Sequence, residues 1–225
     1  MSMRLSIDAL LVLDAIDRKG SFAAAAHAIL ELAQIFHQQQ CGTRLRISAE
    51  VLGGCWDALS SGRADLVIGA PGDGPAGGGY TTRSMGNVDW VFAVAPDHPL
   101  AAAPEPLHHG DILAHPAVAV ADSSRNLPPR TAGLLTGQET LTVHNMAAKL
   151  LAQQMGLGVG HLPRVVAERA AAAGTLVIKP TDAGRVNTPL YLAWRSNHKG
   201  KALAWWVKQV ETKSWLERAM AQFTT

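Results

Sequence analysis

Apolar segments of strand length alternate with helical segments over most of the chain, and this alternation restricts its fold more than any other feature. A strand pattern at Leu45–Leu52 is followed by a helical pattern at Cys55–Ser61 and a buried strand pattern at Leu66–Gly69. The same succession returns between residues 117 and 194. Strands separated by helices predict a mostly parallel α/β sheet. Two such groups, with a final return to the first, predict two lobes around a cleft.

Two helices are predicted before the alternation begins. Apolar residues recur at three-residue steps within Ile7–Lys19, which predicts a helix that ends at Gly20. Ser21 is a good N-cap for a second helix, from Phe22 to about Gln40. No turn residue separates the alanine-rich start of this second helix from the amphipathic stretch that begins near Ile29.

The composition is that of a globular protein that needs no disulfide bonds. Of the 225 residues, 48% are hydrophobic and 17% are charged. No apolar run reaches the roughly 20 residues that cross a bilayer, and Asp8, Asp14 and Asp17 argue against a signal peptide. Cys41 and Cys55 are too few for a disulfide framework. We therefore expect a cytoplasmic protein without a membrane partner.

Positive charge is concentrated at the C-terminal end. The net charge is only +2, and the first 29 residues hold three basic and three acidic side chains, which sum to zero. Residues 185–225 hold seven basic side chains against two acidic ones, which sum to +5. This segment is either a polyanion-binding patch or the solvated face of a helix, and we expect the latter. Trp205, Trp206 and Trp215 are likewise expected to pack rather than to stack on nucleotides.

Four segments, in the same order along the chain, resemble LysR-type bacterial transcriptional regulators. Leu10–Ala28, with the sequence LLVLDAIDRKGSFAAAAHA, resembles the start of that family's winged helix-turn-helix. Three later segments are similar to the family's effector-binding domain: Ser48–Ala70 with its GRAD turn, Val91–Ala101, and Leu150–Glu168 with its glycine-rich turn and LP step. Together these segments are spread over most of the chain, from residue 10 to residue 168.

The chain departs from the family pattern after Ala28. There the resemblance predicts a recognition helix, a wing and a linker helix, and then the first strand of the effector domain. The chain instead continues with a segment similar to that domain's first helix and second strand. We therefore expect an internal deletion, with residues 1–29 as a helical remnant of the DNA-binding domain and residues 30–225 as the effector-binding domain. The lobes are predicted as residues 30–92 with 185–225, and residues 93–184. Loss of a strand predicts an unpaired sheet edge.

The resemblance implies an α/β fold with two lobes, like a type II periplasmic binding protein. It also implies a DNA-binding transcriptional regulator that responds to a small-molecule effector through lobe closure and that forms a homo-oligomer. Because the recognition helix reads base edges in the major groove, its loss predicts impaired DNA binding. The alternative is a small-molecule-binding module that pairs with intact regulator subunits without binding DNA. An enzyme is the weakest alternative.

The candidate site residues follow from the resemblance. In the DNA-binding remnant, Ser21 lies at a helix start, where free backbone N–H groups bind phosphate, with Phe22 and Ala25 after it. Effector ligands of such folds bind at the carboxyl ends of strands, where backbone N–H groups are free. The effector-binding candidates are Glu50, Val51, Leu52, Gly53, Gly69, Ala70, Thr142, Val143, His144, Gly160, His161 and Leu162. His144 or His161 could pair with an anionic or phenolic ligand and could titrate near neutral pH. Each candidate has the alternative of a turn or packing residue.

Other chemistries find little support in the sequence. The glycines at 156, 158 and 160 follow a predicted helix rather than a strand, which argues against a dinucleotide site. His108, His109 and His115 lie near a single carboxylate, Asp111, so no metal site is expected. Neither cysteine has an identifiable base partner, and no nucleophile elbow or phosphate-binding loop is present. We expect no cofactor and no catalytic residue.

Overall fold

The chain forms two compact units in a computed structural model that describes residues 2–8, 22–39, 42–184, 186–198 and 200–220. The first unit takes in the described residues up to Gly86, the segment Asp122–Arg130, and the described residues from Pro189 onward. The second unit takes in Asn87–Ala121 and Thr131–Thr188. The predicted limits of the lobes, at residues 92 and 185, stay a prediction. The segment Asp122–Arg130 was not predicted to belong to the first unit.

The α/β class predicted from the alternating pattern is confirmed. The described elements in chain order are β1 (Ser2–Asp8), α1 (Phe22–Gln38), β2 (Arg44–Glu50), α2 (Gly54–Ser60), β3 (Leu66–Pro71), β4 (Tyr80–Val94), α3 (His109–Leu113), β5 (Ala117–Val120), β6 (Thr140–Val143), α4 (Met146–Gln154), β7 (Gly160–Pro163), α5 (Arg164–Ala172), β8 (Val177–Lys179), β9 (Val186–Arg195), α6 (Lys201–Val210) and α7 (Lys213–Met220). Within the described residues, no helix combines the length and the apolar character that crossing a membrane requires.

The first unit is built on strands in the order β2–β1–β3–β9. Strand β1 runs parallel to both of its neighbours, whereas β9 runs antiparallel to β3. Helix α2 supplies the centre of one apolar cluster through Trp56, whose indole N–H donates to the backbone oxygen of Pro71 at 3.1 Å. The short α2 helix is buried because it covers the sheet rather than facing water.

The C-terminal tryptophans pack in the first unit, as predicted. Trp206 and Trp215 are buried, and the ring of Phe36 lies 5.9 Å from that of Trp206 and 5.0 Å from that of Trp205. The indole N–H of Trp215 donates to the backbone oxygen of Ala28 at 3.2 Å. These contacts fix helix α1 against α6 and α7, so the aromatic side chains stabilise the fold.

The second unit is organised around β4 and β5. Strand β4 pairs antiparallel with both β7 and β8, and β5 pairs in parallel with β6. A further bridge joins Ala117 of β5 to Val159, the residue before β7. Strand β5 therefore has β6 on one side and the start of β7 on the other. Phe92, Val94 and Leu107 belong to the buried apolar cluster beneath these strands.

The N-terminal residues differ from the sequence prediction. Ile7 and Asp8, predicted to start a helix, end strand β1, and the rest of that predicted helix lies outside the described residues. Apolar residues alternate at Met3, Leu5 and Ile7, which is the period of a strand. The expectation of a vacant strand position is therefore wrong for the described sheet, because β1 lies between β2 and β3 and is paired on both sides.

Replacement of Leu5 by proline tests the importance of β1. Proline removes a backbone donor from a strand with neighbours on both sides, so we expect a loss of roughly 2–4 kcal/mol of stability. At about 2–4 °C per kcal/mol, the melting temperature should fall by roughly 5–15 °C in a calorimetric scan. Ala76→Pro, in the exposed glycine-rich loop, is the matched control and should melt like the unaltered chain. Equal melting temperatures for both variants would contradict the placement of β1.

Candidate functional site

The first group of candidate residues lies where β2 turns into α2. Glu50 ends β2, and Val51, Leu52 and Gly53 form the turn. Leu52 has a positive φ of 50°, which costs a residue with a side chain on the order of 1 kcal/mol. Glu50, Val51 and Gly53 are buried, so this turn is a tightly held part of the first unit.

Two backbone N–H groups of this turn are already bonded within the chain. The N–H of Val51 donates to Ser123 Oγ at 2.8 Å, and the N–H of Gly53 donates to Asp122 Oδ2 at 2.8 Å. The Ser123 hydroxyl in turn donates to Glu50 Oε2 at 2.6 Å. The expectation of free N–H groups is therefore wrong at Val51 and Gly53, because side chains distant in sequence reach them.

The Asp122 carboxylate is surrounded by backbone N–H donors, as a bound carboxylate ligand would be. Besides the N–H of Gly53, it accepts hydrogen bonds from the backbone N–H groups of Ser124 at 2.6 Å and Arg130 at 2.7 Å. Burial alone would raise the pKa of the Asp122 carboxyl, but these hydrogen bonds outweigh burial and lower that pKa. One N–H group of the turn, that of Gly53, is thus bonded to a carboxylate that the chain itself supplies.

Asp57 ties the segment Asp122–Arg130 to helix α2. Its buried carboxylate accepts hydrogen bonds from the backbone N–H groups of Asn126 and Leu127, each at 2.8 Å. It also accepts one from Arg63 at 2.8 Å, and Arg63 pairs in addition with Glu50. Burial would raise the pKa of Asp57, but these donors lower it to about 2. Asp57, Asp122 and Ser123 were not predicted from the sequence. The available signal was Asp57, an acidic residue within the otherwise apolar helix α2.

Gly69 and Ala70 lie at an irregular point of strand β3, where its pairing with β9 shifts register. Gly69 has a φ of +85°, which favours glycine, and the pairing of β3 with β9 shifts register between Ile68 and Ala70. Ala70 is fully buried and belongs to the cluster around Trp56. For these two residues the described contacts support the alternative of a turn and a packing position.

The second group of candidates lies in the second unit, on two strands that flank β5. Thr142 and Val143 belong to β6, and His144 follows them; Thr142 and His144 are exposed. Gly160, His161 and Leu162 belong to β7 and pair with β4. Leu162 is fully buried, which is typical of a packing residue. Whether these residues bind an effector stays a prediction.

Buried polar side chains surround the start of β7. Gln153 of α4 donates through Nε2 to the backbone oxygens of Gly160 at 2.9 Å and Ala93 at 3.3 Å. Lys149, one turn earlier on α4, is only 6% exposed, and burial lowers the pKa of its ammonium to about 8. His161 has a buried Nδ1 without a hydrogen-bond partner among the described residues. Sequence reasoning missed Lys149 and Gln153, which appear in the sequence as ordinary residues of an amphipathic helix.

His161 does not titrate near neutral pH, in contrast to the sequence-based expectation. Burial, and then the nearby charge of Lys149, lower its pKa to about 4. The imidazole packs edge to face on Phe92, with ring centroids 5.4 Å apart. At pH 7 this side chain is therefore a neutral ring that can accept or donate one hydrogen bond.

A cavity in the second unit opens beside His161. Its volume is about 50 Å³, and its walls include Gly133, Gln138, Gly160 and His161. Most of the wall is apolar, and the cavity is smaller than the sites that enclose drug-sized ligands. Among the described residues, no cluster of His, Cys, Asp or Glu has the makings of a metal site.

The DNA-binding candidates are only partly described. Ser21 lies outside the described residues, whereas Phe22 and Ala25 lie in the first turns of α1. Further along the same helix, Ile29, Leu32 and Phe36 are buried in the first unit. One continuous helix thus runs through the predicted boundary at residues 29 and 30, and that boundary stays a prediction.

Comparison with known families accounts for this architecture. The family described as LysR substrate binding domain matches residues 20–214. The chain belongs to the LysR family. The match begins before Phe22, so the whole of α1 falls within the family's substrate-binding domain.

Relatives and solved structures agree with LysR membership. The chain is 37% identical over 183 residues to the uncharacterized HTH-type transcriptional regulator YeeY of Escherichia coli K12, a match that covers 81% of the chain and 59% of YeeY. It therefore spans less than two thirds of that relative. The regulatory domain of the LysR family regulator MetR from N. meningitidis has the same fold, with a TM-score of 0.68 at 19% identity over 99% of this chain and 95% of that one.

A second solved structure with this fold contains a bound ligand. The effector-binding domain of QuiR in complex with shikimate has a TM-score of 0.59 at 15% identity, and the match covers 99% of this chain and 97% of that one. Together with MetR, it identifies the fold of this LysR domain as the two-lobed α/β fold of periplasmic-binding-protein-like effector domains.

The Asp57 contacts give this LysR domain a predictable response to acid. Because the folded-state pKa is about 2, below the ordinary 3.8, the carboxylate stabilises the fold above pH 4, and this contribution is lost as the pH falls from 3.8 towards 2. We expect Asp57→Asn to cost about 2 kcal/mol at pH 7 in urea unfolding followed by tryptophan fluorescence. The difference from the unaltered chain should shrink below pH 4.

The exposed Asp73 provides the control for this experiment. Asp73→Asn should leave the free energy of unfolding unchanged at both pH values. A stability cost for Asp57→Asn that stays constant from pH 7 to pH 3 would show that the carboxylate charge is not what holds Asn126 and Leu127.

Proposed function

We propose that this chain is the effector-binding part of a LysR-type transcriptional regulator that responds to a small molecule in the bacterial cytoplasm. The observation that carries this proposal is the 37% identity, over 81% of the chain, to a protein named as an HTH-type transcriptional regulator. The relatives are regulators rather than enzymes, which supports a binding role.

Effector binding is supported by the second unit. A small cavity with apolar walls and a few polar groups opens beside the candidate residue His161, and the buried Lys149 and Gln153 lie next to the candidate Gly160. The related domain of QuiR holds shikimate, which supports a small organic effector for this fold. Such an effector acts by stabilising one of two conformations, so its regulatory effect equals its difference in affinity for the two.

DNA binding by this chain is proposed to be weak. Helix α1, which carries Phe22 and Ala25, is held in the first unit by its contacts with α6 and α7. The exposed Lys201, Lys208 and Lys213 are the described basic side chains that remain for non-specific phosphate contacts at the C-terminal end. Contacts of this kind weaken steeply as salt rises.

Two measurements on the purified chain test the proposed function. A thermal-shift screen against a metabolite library should find compounds that raise the melting temperature, because ligands that bind only the folded state stabilise it. Fluorescence anisotropy with a short random-sequence duplex should show weak binding at low salt that disappears at physiological salt. A screen without any stabilising compound would overturn effector binding. Anisotropy that stays flat even at low salt would favour a module that acts without DNA.

We further propose that the chain associates with a second copy of itself. Helix α1 exposes Leu30 and Ile35, and helix α4 with the turn after it exposes Leu151, Met155 and Leu157. Strand β2 is the outermost strand beside β1, so it offers an unpaired edge among the described strands. In a two-fold dimer both copies contribute the same surface to the interface. The two apolar surfaces of one chain can therefore pack against the same two surfaces of a second copy.

Leu30→Glu tests this association. Leu30 is 61% exposed, so the substitution has little to disturb in the folded chain but places a charge in the proposed interface. We expect a dissociation constant for the dimer at least about tenfold higher, by analytical ultracentrifugation. Leu113→Glu, on the short helix α3, is the control and should leave self-association unchanged. Equal association of both variants would place the interface elsewhere.

A further inference from the structure

The second unit contains two buried lysines with very different surroundings. Lys179, 5% exposed, donates to the backbone oxygens of Ala101 at 3.2 Å and Ala103 at 2.9 Å and pairs with Glu105 at 2.7 Å. Lys149 is 6% exposed and has no hydrogen-bond or ion-pair partner among the described residues. A buried ammonium without a partner is costly, so Lys179 is a satisfied structural group and Lys149 is not.

The Lys149 ammonium faces the backbone of Gly160. A methyl group added at Gly160 would lie 3.4 Å from Lys149 Nζ, 3.4 Å from Gln153 Nε2 and 3.5 Å from the backbone oxygen of Val118. Gly160 has a φ of +153°, which side chains rarely adopt, so glycine keeps this approach open. The cation thus lies at the same strand end as the candidate effector residues of β7.

Two further polar atoms at this strand end have no partner among the described residues. Gln153 Oε1 is buried and accepts no hydrogen bond, although its Nε2 is held by Gly160 and Ala93. His161 Nδ1 is buried and likewise unpaired. These two buried atoms lie close in sequence to Gly160, where the largely buried Lys149 also has no partner among the described residues, so a ligand at this point would find three groups to bond.

We propose that Lys149 binds the carboxylate of the effector, with Gln153 and His161 bonding polar groups next to that carboxylate. This inference rests on the proposed function and names the chemical class of its ligand. The site offers one positive charge, because His161 is neutral at pH 7, and one charge matches a monocarboxylate better than a doubly charged phosphate. Gln153 Oε1 can only accept a hydrogen bond, so the ligand carries a donor such as a hydroxyl group.

The effect of Lys149 on the stability of the ligand-free chain distinguishes a ligand-binding lysine from a structural one. If the carboxylate is the missing partner, the ligand-free chain should melt at a higher temperature when Lys149 is replaced by methionine. The same change at Lys179 should lower the melting temperature, because it leaves two backbone oxygens and a carboxylate unpaired. A fall in melting temperature for Lys149→Met would overturn the proposal.

Lactate is the probe for the ligand class, and lactamide is its uncharged counterpart. At pH 7 and constant ionic strength, lactate should raise the melting temperature of the full chain, whereas lactamide should not. The lactate response should be lost in Lys149→Met, with apparent affinity at least about tenfold weaker, and retained in Lys208→Met, an exposed lysine of α6. A response that persists in Lys149→Met, equal responses to lactate and lactamide, or no response to lactate overturns the carboxylate site.

A direct titration gives an independent readout. In a chain with labelled lysine side chains, the NMR signal absent from Lys149→Met reports the ammonium of Lys149. Lactate should raise its pKa from about 8, because a bound anion favours the charged form. A pKa that does not change with lactate overturns the proposal. Should the metabolite screen find only uncharged ligands that bind Lys149→Met equally well, effector binding would stand and this inference would fall. If no metabolite stabilises the chain, both fail.

Discussion

The pairing of β1 with strands on both sides is the constraint on which the first unit depends. Leu5 and Ile7 are in register with β2 on one side and β3 on the other. Without this strand, two parallel strands would lose their shared neighbour, and their backbone groups would need other partners. The turn after β2, the helix α2 and the Asp122–Arg130 segment all take their positions from that sheet. A seven-residue strand therefore supports a unit assembled from three separate stretches of the chain.

The sequence predicted strands and helices best where a hydrophobic pattern extended over many residues or where a segment was continuously apolar. Strand β3 was predicted within a few residues, because Leu66–Gly69 is continuously apolar. Strand β1 was missed because three alternating apolar residues are a short signal and the three-residue steps that follow favour a helix. Local patterns cannot show that Ser2–Asp8 pairs with strands more than 35 residues away.

The candidate site was predicted less completely than the fold, for a physical reason. Which backbone N–H groups remain free depends on side chains far along the chain, such as Ser123 at Val51. Likewise, Lys149 and Lys179 are the same residue type on regular elements, and only the three-dimensional surroundings separate the paired lysine from the unpaired one. Strand ends could not reveal the hydrogen-bonding state, and the location of the effector site at them stays a prediction.

The carboxylate of Asp122 gives the first unit an internal competitor. A free anion that approaches the N–H group of Gly53 meets a carboxylate tethered to the same chain, whose effective concentration does not change on dilution. The apparent affinity of the free anion is proportional to the fraction of time that Asp122 leaves the Gly53 N–H group unoccupied. A ligand that displaces Asp122 therefore needs additional contacts elsewhere. An anion that bonds only the Gly53 N–H group would therefore bind weakly, because it must first displace Asp122.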